Sequence, residues 1–177
     1  SGLWSKIAFE DAGQFCEANI SATSQENHFK QFPSPDLWDV SGDPAYLHFT
    51  ANETINGVQL HQSPIETNVP LVVDMSSELL TKPIQVDKYG LIYACSQKNL
   101  GIAGLTFVII DDAIIKAPLE HTPVMYEYST HITHNSMLNT PPTFTWFVAS
   151  LMFSWLKDIG GLTAIYEKNK ENAKLLY

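Results

Sequence analysis

Two stretches of the sequence end an apolar run on a side chain that can hold or move a proton. In PLVVDMSS (70–77), Pro70 and three aliphatic residues lead into Asp74 and then two serines. LIYACSQKN (91–99) has the same layout: an apolar run, small residues, then a polar cluster with Lys98. A continuous apolar run of this length fits a strand buried on both faces of an α/β sheet. In open α/β sheets, ligands bind beyond the carboxyl ends of the strands. Asp74 and Lys98 both fall at that edge, on strands consecutive in sequence.

A carboxylate beside a lysine at such an edge has the makings of a pyridoxal phosphate site. The lysine can bond covalently to the aldehyde, and the carboxylate can pair with the pyridine nitrogen and keep it protonated. A free lysine titrates near about 10.4, so it must be perturbed or covalently engaged to act as a base near neutrality. A plainer reading competes: Asp74 caps a turn and Lys98 is a solvated surface lysine. Strand-end polar residues are common, and on spacing alone the plainer reading stands ahead. His131 and His134 form H-x-x-H without the nearby acid and helical context of a metal site, so no metal role is expected. His28, His48, His61 and His121 are scattered. Read singly, Trp4 is a core residue, Thr54 a turn hydroxyl beside Asn56-Gly57, and Asn139-Thr140 a helix cap.

The elements that would position these residues follow from patterning. Ser5 is placed to cap a first helix running to about Phe15, with Gly13 weakening its end. EANISAT (17–23) reads as a short strand, and the polar stretch 24–44, with Pro33, Pro35 and Pro44, as loop with a turn around 36–40. AYLHFT (45–50) reads as a strand, and Asn56-Gly57 as a tight turn between short extended pieces. LTFVII (105–110) is a further buried strand after Gly101 and Gly104. Thr140 would cap a helix whose first turn holds Pro141 and Pro142 and which continues from Thr143 to Lys157. That helix is apolar nearly all round, so it should be buried or lie against a partner subunit. Gly160-Gly161 ends it, and 162–177 forms a last helix with Leu162, Ile165, Tyr166, Ala173 and Leu176 on one side. The pattern is α/β, and no linker or repeat splits the chain.

Composition narrows the function classes. The 177 residues are 45% apolar and 16% charged, which excludes a disordered chain. Ten lysines against 19 acidic residues give a net charge of −9, an unfavourable balance for nucleic acid or an anionic membrane. No arginine occurs at all, although arginine is the usual fork for carboxylates and phosphates. Cys16 and Cys95 make no disulfide framework and read as reduced thiols of a cytoplasmic protein. Cys95, three residues before Lys98, reads as a small buried filler. The most apolar stretch, 144–156, is too short for the roughly 20 residues of a membrane span and includes Ser150 and Ser154.

The segment YACSQKNLGIAGLTFVII resembles the lysine segment of phosphoserine aminotransferases, which carries a YA-small-small-QKN-x-G-x-AG pattern. HFTANETINGVQL is similar to that family's NETI-x-G segment, and VVDMSSELLTKPIQVDKYGLIYA to its D-x-S-S…YG-x-IYA run. NSMLNTPPTFTWF resembles its S-x-x-NTPPTF segment, and SGLWSKIA its G-x-WS-x-x-A segment. The similarity runs over the whole chain. Ile102 stands where the family commonly has proline.

The resemblance implies a fold-type I pyridoxal phosphate-dependent transferase large domain, a mixed, mostly parallel sheet with flanking helices. It implies strands near 18–22, 45–49, 70–74, 91–95 and 105–110, the last antiparallel to its neighbour. It implies Lys98 as the catalytic lysine and Asp74 as the partner of the pyridinium. By the same resemblance Trp4 stacks on the cofactor ring, Thr54 donates to the phenolic oxygen, and Gln97 reaches the phosphate. Asn139 and Thr140 would hold the phosphate of the neighbouring subunit, which implies a homodimer. A helix N-terminus at Thr140 would suit a phosphate.

Residues 1–177 would then form a single partial large domain, with an N-terminal segment and a C-terminal small domain outside the chain. The implied activity is transfer of an amino group from L-glutamate to 3-phosphohydroxypyruvate in serine biosynthesis, and the resemblance extends the expectation to pyridoxine biosynthesis. The 177 residues alone are expected to be inactive, for want of substrate-binding arginines. Alternatives are another fold-type I enzyme, of the alanine–glyoxylate aminotransferase or cysteine desulfurase type, and a non-catalytic scaffold. NTPPTF and QKN speak against the former, and intact Asp74, Lys98 and Thr54 against the latter.

Overall fold

A computed structural model describes residues 1–61 and 66–176. Four strands, β1 (Leu47–Thr50), β4 (Leu71–Asp74), β5 (Leu91–Cys95) and β6 (Thr106–Ile110), form one sheet in the order β1-β4-β5-β6. The β1-β4 and β4-β5 pairs are parallel, and β6 runs antiparallel to β5, as the resemblance implies. β6 is not the buried strand its apolar run suggests: Thr106, Val108 and Ile109 are exposed and Phe107 and Ile110 half-buried, because it is an edge strand with no neighbour on its outer side among the described residues. Two short strands, β2 (Asn52–Glu53) and β3 (Val58–Gln59), form an antiparallel hairpin around Asn56-Gly57. Gly57 adopts φ +67°, the left-handed conformation that an Asn-Gly turn supplies.

Side chains alternate across the sheet, and the alternation sorts its two faces. Leu47 and Phe49 of β1, Leu71 and Val73 of β4, and Ile92 and Ala94 of β5 build the core with Met75, Leu79 and Leu100. Trp38 packs on Phe49 at 5.3 Å between ring centroids, so the long loop after the first helix closes that side. The opposite parity holds His48 and Thr50, Asp74, and Tyr93 and Cys95. Register places Thr50 beside Asp74 and Asp74 beside Tyr93.

The helices are α1 (Leu3–Ala12), α2 (Tyr128–Thr133), α3 (Thr143–Asp158) and α4 (Gly161–Leu176). No helix among the described residues is long and apolar enough to cross a membrane. α1 begins at Leu3, two residues before the expected cap Ser5, and stops at Ala12 rather than Phe15. Its cap comes from elsewhere in the chain, so no local signal marks the start. Residues 17–23 form no strand: their one long-range backbone bond, among the described residues, is from Asp39 N–H to the Ser21 carbonyl, and they make no ladder. A short extended piece without a paired neighbour has nothing to hold it as β-structure.

α3 starts at Thr143 with Pro142 in the cap position, so Thr140 does not cap it. Thr140 and Pro141 each precede a proline, and the proline ring pushes the residue before it out of the helical region. Apolar nearly all round, α3 still buries only one side, through Thr145, Ala149 and Leu156, while Phe144 is 68% exposed and Phe147 59%. Phe153 meets Phe107 of β6 edge to face at 5.7 Å. In α4, Leu162 and Ile165 are partly buried, but Tyr166, Ala173 and Leu176 are exposed, contrary to the expected stripe. Tyr177, the last residue of the expected helix, lies outside the described residues.

Candidate functional site at the carboxyl edge of the sheet

Asp74 closes β4, and Lys98 follows the end of β5 by three residues, so both leave the same edge of the sheet from adjacent parallel strands. Hydrogen bonds lace the two strand ends together. Ser76 Oγ accepts the Cys95 amide at 3.1 Å, and Asn99 Nδ2 lies 3.3 Å from the carbonyls of Ser77 and Leu79. Ser96, fully buried, donates through Oγ to the Ile102 carbonyl and accepts the Leu105 amide at 3.1 Å. Both ends of the lysine loop are therefore fixed. Asp74 Oδ1 accepts the Ser76 amide at 2.8 Å, so this carboxylate does cap a turn, as the plainer reading had it. One oxygen thus orients the group, and the other is not needed for the turn.

The loop beyond Lys98 passes under α3 at close range. Gly101 and Gly104 have φ of +144° and +126°, and a Cβ on Gly104 would come within 3.1 Å of Thr145 Oγ. Thr145 in turn donates to the Ala103 carbonyl at 3.1 Å. Glycine is required here for backbone conformation and for room.

The indole of Trp4 reaches the same edge from α1. Lys98 Nζ lies 5.9 Å from the centroid of its ring, within cation–π range. Trp4 Nε1 donates to Thr54 Oγ at 3.1 Å. Because the Thr54 hydroxyl accepts there, its own proton stays available to another group. The β2-β3 hairpin also supplies what α1 lacks at its N-terminus. Glu53 accepts the Trp4 amide through Oε2 and the Ser5 amide through Oε1, both at 2.9 Å. Asn56 Oδ1 accepts the Leu3 amide at 3.0 Å. Three orphan N–H groups of the first turn are thus satisfied from about 50 residues away.

Two further residues flank Asp74. His48 Nε2 and the Tyr93 hydroxyl are hydrogen-bonded at 3.0 Å, with their rings stacked. Burial holds the His48 imidazole below its ordinary pKa, against the opposing pull of Asp74 and Glu53. Burial, and next the negative charge of Asp74, push the Tyr93 phenol well above its ordinary pKa of 10.0. Both groups stay neutral near pH 7. Thr50 Oγ is buried beside Asp74 and has no hydrogen-bond partner among the described residues. The sequence reading singled out none of Glu53, Asn56, His48, Tyr93 or Thr50 as site residues. The period-2 alternation of β1 and β5 already places His48, Thr50 and Tyr93 on the Asp74 face. Nothing local marks Glu53.

Gln97 is exposed on the lysine loop, next to Lys98. Asn139 and Thr140 are exposed on the approach to α3. The site therefore brings Trp4, Thr54, Asp74 and Lys98 together, with Gln97 at its rim, and leaves Asn139 and Thr140 apart. His131 and His134 bond to the carbonyls of Met125 and Thr130, within or beside their own helix.

Comparison with known proteins follows the same lines. The phosphoserine aminotransferase of Coxiella burnetii is 42% identical over 178 aligned residues, which take in all of this chain and 49% of that protein. The solved structure of phosphoserine aminotransferase from Bacillus circulans subsp. alkalophilus superposes with a TM-score of 0.96 at 35% identity, over 99% of this chain and 49% of that one. A pyridoxal phosphate-bound phosphoserine aminotransferase from Trichomonas vaginalis gives 0.90 at 38% identity, over 98% of this chain and 49% of that one. The chain thus spans about half the length of the relatives it matches, and its fold is that of the fold-type I aminotransferases. The aminotransferase class-V family model matches residues 1–177. With every residue inside that match and the Asp74–Lys98 edge built as described, the chain belongs to the class-V aminotransferase family.

Proposed function

We propose that this chain is the cofactor-holding part of a pyridoxal phosphate-dependent phosphoserine aminotransferase. The reaction is transfer of an amino group from L-glutamate to 3-phosphohydroxypyruvate, giving phosphoserine and 2-oxoglutarate. The observation that carries the reading is the placement of Asp74 and Lys98 on adjacent parallel strand ends, with the Trp4 ring 5.9 Å from Lys98 Nζ. A carboxylate, a primary amine, a flat aromatic face and a free hydroxyl proton on Thr54 suit a planar pyridine that carries an aldehyde and a phenol. The buried Thr50 hydroxyl, which has no partner among the described residues, fits a further polar group at this edge.

Pyridoxal phosphate supplies an aldehyde that captures the amino group and a ring that accepts electrons. Asp74, oriented by the Ser76 amide, would hold the proton on the pyridine nitrogen. Lys98 would hold the aldehyde through Nζ and, with its amine free, would take and return a proton at the substrate Cα. Trp4 would cover one face of the ring and keep water from it. Thr54 would donate to the phenolic oxygen, and Gln97 would reach the phosphate. The neutral His48–Tyr93 pair adds no charge beside Asp74, so the carboxylate remains the dominant charge at the ring.

Asn139 and Thr140 are read as phosphate ligands for a neighbouring subunit. Their exposure, next to the open apolar side of α3, supports a homodimer. Residues 1–177 are read as a partial large domain. The chain has no arginine, so the forks for the substrate carboxylates and phosphate belong to other parts of the protein. A cytoplasmic location and service in serine and pyridoxine biosynthesis go with this reading. The test is Lys98→Ala in the intact protein. Borohydride should fix the cofactor to the wild type and not to the variant, while ring contacts still retain cofactor in both. Normal turnover by the variant would remove Lys98 from the mechanism.

A further inference from the structure

The Glu53 carboxylate is fully buried, with 0% exposure, and its hydrogen-bond partners among the described residues are N–H and O–H groups, with no side-chain cation paired to it. A buried charge without a counter-ion is costly unless donors surround it. Here the donors are two backbone amides of the first turn of α1, at the positive end of the helix. An ordinary N-cap would satisfy α1 with a local serine or aspartate and no buried charge. A local cap would also leave the helix free to pivot on the sheet. Capping from β2 ties α1 to the hairpin instead. The next residue of that hairpin, Thr54, holds the indole of Trp4 at 3.1 Å. Trp4 is therefore gripped twice, at its amide by Glu53 and at its ring nitrogen by Thr54. Gly2 completes the joint, since a Cβ there would lie 2.7 Å from the Glu53 carboxylate and from Asn56 Oδ1.

We propose that Glu53 is a positioning residue that fixes the Trp4 indole over Lys98, and so sets the stacking face for the cofactor ring. The proposal rests on the functional reading above for its cofactor and on the hydrogen bonds for its geometry. Glu53 does not touch the reacting atoms; it acts through Trp4.

The experiment uses the intact protein with Glu53→Gln and Glu53→Ala. In the apoprotein, amide exchange at Trp4 and Ser5 should accelerate about tenfold to a hundredfold, the scale of a lost charge-assisted bond. The effect should be larger for Ala than for Gln, which keeps one acceptor oxygen. The Trp4 indole N–H resonance should shift in both variants. In the holoprotein, the visible circular dichroism of bound pyridoxal phosphate should weaken and its dissociation constant should rise about tenfold.

Should Glu53→Ala fail to fold, Glu53→Gln carries the test by itself. Unchanged exchange and an unchanged indole resonance overturn the proposal. Faster exchange with the indole resonance and the cofactor dichroism both intact overturns it as well, since Glu53 would then serve only the helix. If wild-type protein binds no pyridoxal phosphate, the functional reading falls, and the apoprotein exchange and indole shifts still decide for or against the clamp.

Discussion

Gly2→Ala puts one methyl group into the joint between α1 and the hairpin, and its cost can be worked from the distances. The new Cβ would sit 2.7 Å from the Glu53 carboxyl carbon, from Glu53 Oε2 and from Asn56 Oδ1. Ordinary van der Waals contact begins at 3.4 Å, so these atoms must retreat by roughly 0.7 Å. The carboxylate has nowhere to go without loosening the bonds to the Trp4 and Ser5 amides, now 2.9 Å long. A retreat of that size takes at least one of them past the limit for a hydrogen bond.

One charge-assisted bond is worth about 1.5–3 kcal/mol, and overpacking typically costs about 1–3 kcal/mol. The two overlap, because the methyl group acts by displacing the bond. The expected loss is about 2–3 kcal/mol in docking of α1. The backbone itself is not strained, since φ at Gly2 is 178°. Urea unfolding of the intact apoprotein, with amide exchange at Trp4 and Ser5, measures the effect. A Gly2→Ala protein within about 0.5 kcal/mol of wild type, with unchanged exchange, would refute the argument that this glycine exists to admit the carboxylate.

Two other predictions concern charge. Asp74→Ala in the intact protein should lower kcat by about a hundredfold or more while cofactor affinity falls much less, because the pyridine nitrogen loses its proton partner. Steady-state kinetics beside a cofactor titration separate the two, and equal losses would remove Asp74 from that role. His48 has a folded-state pKa below its ordinary 6.5, so the unfolded chain binds the proton first on acidification. Its contribution is fully present above pH 6.5 and is lost as pH falls below it, at no more than about 1.4 kcal/mol per pH unit for one proton. Urea unfolding of wild type and His48→Gln from pH 7.5 to 5.5 should show their stability difference narrowing toward acid. A constant difference would contradict the burial of a neutral imidazole.

The sheet was legible because its strands are made of continuous apolar runs. PLVVD stops on Asp74 and LIYAC on the small Cys95 where their strands stop, LTFVII gives way to Asp111, and Asp74 and Lys98 are readable from the first two stops. EANISAT has β-like residues too, but strand identity is settled by a paired neighbour, which sequence does not display. The start of α1 was misplaced for a related reason. Ser5 is a good local cap by type, yet the amides there are satisfied by Glu53 and Asn56 across about 50 residues. Thr140 was misread because two prolines in succession were credited with opening a helix, when the second keeps the first out of it. Resemblance, rather than patterning, brought in Trp4, Thr54, Gln97, Asn139 and Thr140. The structure supplies a physical context for Trp4 and Thr54, and for Gln97 only the neighbourhood of Lys98.

The joint between α1 and the hairpin also has a meaning in chain length. The bonds from Trp4 to Glu53 and Thr54 close a loop spanning 49 and 50 positions, whereas the Cys95–Ser76 bond beside Lys98 spans 19. Closure entropy grows only with the logarithm of length, so the longer loop costs about 0.9 kcal/mol more than the shorter one. Doubling it would add about 0.6 kcal/mol. Distance along the chain is thus a weak tax on assembling this edge. What the connecting stretch between α1 and β1 must preserve is its anchorage, with Phe32 and Trp38 packed toward Phe49. Closure entropy by itself would let the number of residues between Ala12 and those rings change at little cost, provided that this anchorage and the distance from Trp4 to Lys98 are kept.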